Sequence, residues 1–244
     1  MRIAVLSDVH SNLEALDAVL ASVDDAGSDE MWVLGDIVGY GADPAAVVEQ
    51  LRARGARLLA GNHDLAAVDR FDARWFNSVA ALAIRWTAEV MNDEALAVLR
   101  HLEPRVGGDG SPLLVHGSVV DPVAEYVTNE RTAVASFEAE PFELCFFGHT
   151  HLPMIFSNTH GRVSQDTLAD GDVVSLAPGA RYMANPGSVG QPRDRDPRAS
   201  WLLYDADAAT VRVNRVGYDI ARAQEKIRAA GLPEVLADRL AVGR

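Results

Sequence analysis

The chain opens with apolar runs of strand length that alternate with segments of helical periodicity. Arg2–Ser7, Met31–Gly35 and Ala56–Ala60 are the short apolar runs. Between them, apolar residues recur every three or four positions after Asn12 and after Asp43, two residue types that commonly cap helices. This β-α-β-α-β order predicts a parallel sheet whose loops gather at one edge.

The middle of the chain is predicted to be helical first and mixed afterwards. From Asp64 to Leu102, apolar residues recur at steps of three and four, which indicates helices. This block could cover the mouth of the loops, although the sequence does not fix its position. A strand is then predicted at Pro112–His116, a helix at Glu130–Ala139 and a strand at Leu144–Gly148.

The pattern changes again from Pro153 onward. Short strands with turn residues between them follow, ending with Ser200–Tyr204 and Thr210–Arg215. We expect these strands to form a second, more antiparallel sheet. Terminal helices are predicted at Asp219–Gly231 and Glu234–Ala241.

Length and composition are typical of an ordinary globular protein. The chain has 244 residues, of which 48% are apolar and 23% charged, without a linker, repeat or low-complexity segment. We expect one domain over residues 1–244, in which 1–193 carry the motifs and 200–244 complete the fold. No apolar run approaches the roughly 18 residues that span a bilayer, and the N-terminus does not resemble a signal peptide. A cytoplasmic protein without a membrane partner is therefore expected.

Charge and residue usage exclude several kinds of chemistry. The formal net charge of −13 argues against an extended nucleic-acid surface. Lys226 is the only lysine among 22 basic residues. A P-loop and a Schiff-base mechanism each need a lysine, so both are disfavoured. The single cysteine, Cys145, lies in an apolar run and is expected to be a core residue. Any phosphate chemistry must therefore use arginine, histidine and metal.

Residues that commonly bind metals or transfer protons follow the predicted strands at five places. They are Asp8 and His10 in SDVHSN, Asp36 in LGDIVGY, Asn62 and His63 in GNHD, His116 in VHGS, and His149 and His151 in GHTH. The ligands of open α/β sheets lie at the carboxyl ends of strands, so these side chains are expected to meet. His101 and His160 fall outside these loops and are not expected to bind metal.

The chemistry of this set favours two divalent ions. Carboxylates, imidazoles and an amide oxygen suit Mn, Fe, Zn or Ni better than Mg or Ca. Two ions with two aspartates and a bridging hydroxide keep a positive charge, which favours an anionic phosphate ester. Two ions about 3.5–4 Å apart can clamp the attacking and the phosphoryl oxygens. We therefore expect a metal-dependent phosphoesterase acting on a small phosphorylated substrate.

The ordered series DVH, GD, GNHD, VHG and GHTH resembles the calcineurin-like metallophosphoesterases. The match runs from Asp8 to His151, and NPGSVGQPR at Asn185–Arg193 resembles a further stretch of the small bacterial and archaeal phosphodiesterase-like members. The resemblance implies an α/β fold, a four-layer sandwich of two mixed β-sheets flanked by α-helices, with a dinuclear site between the sheet edges.

The resemblance also implies how the residues divide their roles. Asp8, His10 and His151 would bind the first ion, Asn62, His116 and His149 the second, and Asp36 would bridge them and take part in catalysis. A metal-bridging hydroxide would attack the phosphorus. His63 would be the general acid that protonates the leaving alkoxide, a role that suits an imidazole near neutral pH. Asn62 and Arg193 would contact the substrate.

One stretch departs from two branches of that family. In protein phosphatases and dinucleoside tetraphosphatases, the bridging-aspartate motif continues toward an Arg-Gly that an acid often precedes. Here GDIVGYG has Gly39 and Tyr40 at those positions. We therefore favour a phosphodiesterase or phosphomonoesterase, with Arg193 as a replacement grip on the substrate. Protein or nucleotide-specific phosphatase activity and a non-catalytic scaffold are the alternatives, but scaffolds typically lose ligands.

Several neighbouring residues have two interpretations. Arg193 begins an RDRDPR run that could equally be a solvated loop. Asp64 could orient a histidine or simply begin the next helix. Tyr40, Tyr126 and Arg181 could line the pocket, although aromatic packing and surface charge are favoured for them.

Overall fold

A computed structural model describes residues 1–108 and 110–244, whose strands form two six-stranded sheets. The strands are β1 (Arg2–Leu6), β2 (Glu30–Val33), β3 (Arg57–Leu58), β4 (Arg105–Gly108), β5 (Ser111–Val115), β6 (Leu144–Phe146), β7 (Pro153–Thr159), β8 (Arg162–Thr167), β9 (Val173–Ser175), β10 (Arg181–Pro186), β11 (Ala199–Asp205) and β12 (Thr210–Val216). The helices are α1 (Leu13–Ala26), α2 (Pro44–Ala53), α3 (Asn62–Ala67), α4 (Ser78–Val90), α5 (Asp93–Arg100), α6 (Glu130–Ala139), α7 (Ile220–Ala229) and α8 (Glu234–Asp238), with 3₁₀ turns at Ala73–Trp75 and Arg239–Val242.

Both sheets mix parallel and antiparallel pairs. The first has the order β3-β2-β1-β11-β12-β9, and β1, β2 and β3 are parallel as predicted. The second has the order β4-β5-β6-β10-β7-β8. The prediction that the strands after Pro153 form a sheet of their own is wrong. Strands β7, β8 and β10 join the second sheet, whereas β9, β11 and β12 extend the first, because strand pairing depends on partners far away in the sequence.

The alternation of side chains along β1 builds two of the core layers. Ile3 and Val5 face residues of the second sheet, such as Phe146, in the core between the sheets. Ala4 and Leu6 face the opposite way, toward apolar residues of α1, α2 and α5. A third cluster packs Phe137 of α6 on the outer face of the second sheet. The predicted four-layer sandwich of two mixed sheets flanked by helices is therefore confirmed.

Helix α6 has the predicted bounds, and of the two predicted caps Asn12 makes its hydrogen bond whereas the Asp43 side chain does not. Asn12 caps α1 by accepting a hydrogen bond from the backbone N–H of Ala15 at 3.1 Å. The block from Asp64 to Leu102 consists of three separate helices and a 3₁₀ turn, where Trp75 is 79% exposed instead of joining the apolar face. Cys145 is buried in the core, as predicted. Within the described ranges, no helix has the length and apolar character needed to cross a bilayer.

Candidate metal centre

The predicted ligand-type residues meet at one edge of the two sheets. They follow β1 (Asp8, His10), β2 (Asp36), β5 (His116) and β6 (His149, His151), and they occupy the first turn of α3 after β3 (Asn62, His63). The prediction that Asn62 and His63 lie in a loop is therefore corrected, since they begin a helix. All eight side chains are buried, and Asn62 is the most exposed at 8%. The sequence motifs thus converge in space.

Asp36 lies between histidines of different loops. Its Oδ2 is 3.6 Å from Nε2 of His10 and 3.5 Å from Nε2 of His116. On one side, Asp8, His10 and His151 form a group of potential ligands, with His151 Nε2 3.3 Å from Asp8 Oδ1. On the other side, Asp36 groups with His116 and His149. One carboxylate therefore borders two ligand groups.

Backbone carbonyls orient four of the histidine rings. Nδ1 of His10, His116 and His151 lies 3.1, 2.9 and 2.6 Å from the carbonyls of Val38, Leu34 and Gln191, and Nε2 of His149 lies 3.2 Å from that of Ala124. A carbonyl only accepts, so the nitrogen facing it carries a proton, and the other nitrogen offers a lone pair whenever the imidazole is neutral. Metal-binding histidines in proteins are usually oriented in this way.

The inward-facing atoms are poorly satisfied without a cation. Nε2 of His10 is 3.2 Å from Nε2 of His151, and Nε2 of His116 is 3.1 Å from Nδ1 of His149. Asp8 Oδ1 is buried with no hydrogen-bond partner among the described residues. One atom of the Asn62 amide lies 3.2 Å from Asp36 Oδ2. If this atom is the nitrogen, it donates a hydrogen bond to Asp36. If it is the oxygen, two acceptors face each other, and a cation between them would relieve their repulsion. This donor set fits divalent metal ions.

Asp64 fixes the loop that carries Asp36. Its carboxylate accepts hydrogen bonds from the backbone N–H groups of Ile37 at 3.2 Å, Val38 at 3.0 Å and Gly61 at 2.9 Å. Asp64 is therefore the third residue of α3, where its carboxylate caps the N–H of Gly61, and it orients a loop instead of a histidine. Gly61 leaves room for the Asp36 carboxylate, because a Cβ at position 61 would lie about 2.1 Å from Asp36 Oδ1.

The site is built from strained backbone. Asp8, His10, Asp36, His149 and His151 all have φ between 50° and 65°, in the left-handed region that residues other than glycine rarely adopt. Each such residue costs on the order of 1–3 kcal/mol, and strain of this kind clusters at functional sites. Two residues of the NPGSVG stretch support these loops. Asn185 donates to the Gly148 carbonyl at 2.8 Å, and the Ser188 hydroxyl donates to the Asp8 carbonyl at 2.8 Å.

His63 is packed differently from the other histidines. Its ring lies 4.4 Å from that of Tyr40 and 4.9 Å from that of Phe76, measured between centroids. Its Nδ1 is buried with no hydrogen-bond partner among the described residues, so no carbonyl fixes its proton. Burial lowers the pKa of His63 to about 4, and the negative charge of Asp36 opposes this shift. His63 also forms a group of potential metal ligands with His10 and Asp36, whose ligand atoms all lie within 4.8 Å of one another.

Burial and mutual charge set the protonation of the metal-free centre. Burial lowers the pKa of His10 and His151, and lowers that of His149 to about 3. Burial acts in the same direction on His116, but the charge of Asp36 and its hydrogen bond outweigh it and raise the pKa of His116 to about 9. Burial raises the pKa of Asp8 to about 7. In the metal-free centre, His116 thus carries a proton on the nitrogen that would bind a metal ion.

Arg193 lies at the rim of the centre, and its neighbours in the RDRDPR run are engaged elsewhere. Asp194 pairs with Arg215, and Asp196 pairs with Arg198 at 2.7 Å. The Arg193 guanidinium carbon is 5.9 Å from the centroid of the Tyr40 ring, and its Nε has no partner among the described residues. Both aspartates of the run are therefore paired, and Arg193 faces the site.

The remaining candidates divide between the site and the scaffold. The ring of Tyr126 stacks on that of His149 at a centroid distance of 3.8 Å, although Tyr126 is 48% exposed. Arg181 instead donates to the backbone carbonyls of Phe137, Glu140 and Phe142. His101 and His160 are exposed residues outside the cluster. No local pattern distinguishes Tyr126 from any other loop tyrosine, so sequence reasoning could not select it.

Comparison with known proteins identifies the family. The model of the calcineurin-like phosphoesterase superfamily domain matches residues 1–209. The chain belongs to this superfamily. A crystal structure of a metallophosphoesterase from Sphaerobacter thermophilus is 44% identical and has a TM-score of 0.88, with 100% of this chain and 99% of that chain covered. The uncharacterized protein MJ0912 of Methanocaldococcus jannaschii is 38% identical over 99% of this chain and 98% of its own length.

A shorter stretch of the chain is similar to part of a dinucleoside tetraphosphatase. The symmetrical bis(5'-nucleosyl)-tetraphosphatase of Edwardsiella ictaluri is 38% identical over 68 residues, which are 27% of this chain and 24% of that protein. Membership of the superfamily supports a metal-dependent phosphoesterase, a hydrolase acting on ester bonds. The potential ligand groups of the structure agree with the divalent ions that this family implies.

Proposed function

We propose that the protein hydrolyses phosphodiester or phosphomonoester bonds of a small phosphorylated substrate at a dinuclear centre. The observation that carries this proposal is the position of Asp36, whose Oδ2 lies 3.6 Å from His10 Nε2 and 3.5 Å from His116 Nε2. One carboxylate oxygen between two groups of inward-facing histidine nitrogens is the arrangement that a pair of ions sharing a ligand requires.

We assign the ligands as the family resemblance implies. Asp8, His10 and His151 would hold one ion, Asn62, His116 and His149 the other, and Asp36 would serve both. The mixed oxygen and nitrogen donors favour Mn, Fe, Zn or Ni. When bound, such ions lower the pKa of water and neutralise the charge of a phosphate.

His63 and Arg193 complete the proposed machinery. His63 lies beside His10 and Asp36, and no carbonyl of the described residues fixes its tautomer, so its Nε2 can carry the proton that the leaving oxygen would receive. A phosphate anion bound beside it favours the protonated imidazole. Arg193 donates from Nη2 to the Gln191 side chain at 3.0 Å, and its Nε has no partner among the described residues; we propose that it holds a non-bridging phosphate oxygen from the rim. The complete ligand set gives the scaffold alternative little support.

Metal restoration tests the proposal. The metal-stripped protein is assayed on bis-p-nitrophenyl phosphate and p-nitrophenyl phosphate, with Mn, Ni, Zn, Fe or Mg added back singly. We expect transition metals to restore hydrolysis in the wild type, and Asp36→Asn to lose it. The diester-to-monoester ratio then selects the subclass. Two bound ions without hydrolysis of either ester would contradict broad esterase activity, and no bound ions would contradict the metal centre.

A further inference from the structure

His149 faces the metal centre with Nδ1, whereas the other carbonyl-bound histidines of the centre face it with Nε2. Its Nε2 lies 3.2 Å from the carbonyl of Ala124, and its Nδ1 lies 3.1 Å from Nε2 of His116. A half-turn of the ring about its Cβ–Cγ bond would put a carbon atom in the place of Nδ1. The orientation of this ring therefore decides whether His149 can bind an ion.

The ring of Tyr126 lies against one face of the His149 ring. The two centroids are 3.8 Å apart, and the two planes make an angle of 26°. An imidazole that turns about its Cβ–Cγ bond sweeps out of its own plane, and on this face the phenol ring fills the space that it would sweep through. Tyr126 therefore blocks the rotation that would take Nδ1 of His149 away from the centre.

Both contacts with the His149 ring come from one loop, residues 117–129 between β5 and α6. The loop supplies the carbonyl of Ala124 to the edge of the ring and the side chain of Tyr126 to its face. No side chain of the loop belongs to the groups of potential metal ligands found among the described residues. The loop therefore meets the metal centre by holding one of its ligands.

The path of this loop is fixed by residues other than Tyr126. Oδ1 of Asp121 accepts hydrogen bonds from the backbone N–H groups of Val123 at 3.0 Å and Ala124 at 3.1 Å. The side chain of Val127 is fully buried in the apolar cluster on the outer face of the second sheet. Tyr126 itself is 48% exposed, so removing its ring leaves these anchoring contacts in place.

We propose that Tyr126 is a positioning residue for the second ion, the one assigned to Asn62, His116 and His149. Its ring holds His149 with Nδ1 turned toward that ion. The inference rests on the proposed function, because it needs the dinuclear centre described there. Without the phenol ring, His149 can turn and water can reach its hydrogen bond to Ala124. Loss of a contact that orients a metal-binding histidine typically lowers metal affinity by roughly 10–100-fold.

Calorimetric titration of the metal-stripped protein with Mn²⁺ tests this role without an activity assay. We expect the wild type to bind two ions, and Tyr126→Ala to bind one of them about tenfold more weakly while the affinity for the other stays unchanged. Tyr126→Phe keeps the ring without its hydroxyl and should match the wild type. Val120→Ala is the control, because it removes another exposed apolar side chain (56% exposed) from the same loop and should change neither affinity.

The outcomes separate this inference from the proposed function. Unchanged affinities for both ions in Tyr126→Ala would overturn the role of Tyr126 and leave the dinuclear centre standing. Equal weakening of both ions would also overturn it, because that result indicates a general structural effect. A loss that Tyr126→Phe shares would assign the effect to the hydroxyl and overturn the stacking role. A wild type that binds fewer than two ions would overturn the dinuclear centre and, with it, this inference.

Discussion

The backbone N–H of His63 donates a hydrogen bond to Oδ1 of Asp36 at 2.9 Å. This bond leaves Oδ2 of Asp36 facing the histidines, and it fixes the distance between the proposed bridging ligand and the proposed general acid. Because the contact uses the backbone of His63, its side chain can be replaced without releasing Asp36. The two roles can therefore be separated by mutation.

Replacing the His63 side chain should separate catalysis from metal binding. We expect His63→Gln to retain both ions and to lose about 10²–10³-fold in kcat/KM on alkyl esters, whose poor leaving groups need a proton. The loss on p-nitrophenyl esters should be much smaller. Steady-state kinetics with metal analysis measures both effects, and His101→Gln serves as the control at an exposed histidine. An undiminished rate on alkyl esters would exclude His63 as the acid.

A side chain added at Gly39 should displace the His63 ring by steric contact. A Cβ at Gly39 would lie about 2.4 Å from Nδ1 of His63, and φ there is +89°. Gly55 is the matched control, since its φ is +66° and no atom lies within 4 Å of an added Cβ. Both alanine variants pay left-handed backbone strain of about 1–2 kcal/mol. We expect only Gly39→Ala to lower kcat, and equal kcat values in the two variants would contradict the packing described.

Metal binding should release protons at neutral pH. In the metal-free chain the pKa of His116 is raised to about 9, so at pH 7.5 this imidazole holds a proton that a metal ligand must lose. Raising the pH through that value removes the competing proton and should tighten metal binding. Calorimetric titration in buffers of different ionisation enthalpy counts the protons released. Absence of release at pH 7.5 would mean that His116 is already neutral.

The single lysine should stabilise the packing of the C-terminal helices. Nζ of Lys226 in α7 lies 2.5 Å from Glu14 of α1 and 2.9 Å from Asp43, with the lysine side chain 22% exposed. Partial exposure weakens such pairs, so we expect Lys226→Gln to cost ~1 kcal/mol and to lower Tm by about 2–4 °C. Arg222→Gln breaks an exposed pair on the same helix and should change Tm little. Similar Tm shifts in both variants would contradict this role.

The clustering of the site could be anticipated because its signals are local. Asp8, Asp36 and His116 each follow a short apolar run, and in a sheet with parallel neighbours the ends of such runs share an edge. Helix starts such as Asn12 are also local, since the cap is set by one side chain and the next turn. The order of the motifs was therefore sufficient to predict that these side chains lie close together.

The partners of distant segments could not be anticipated. Strand β10 (Arg181–Pro186) contains a proline and has little alternation, and it is a strand because β6 and β7 pair with its two edges. The RDRDPR run gave no sign that Asp194 pairs with Arg215 while Arg193 turns to the site. These contacts form between residues that are distant in the sequence, so the local sequence pattern cannot predict them.

Anomalous diffraction from crystals grown with Mn²⁺ tests the dinuclear centre most directly. We expect two peaks about 3.5–4 Å apart. One should be bound by Asp8, His10 and His151, the other by Asn62, His116 and His149, with Asp36 contacting both. A single peak, or two peaks that do not share Asp36, would contradict the account.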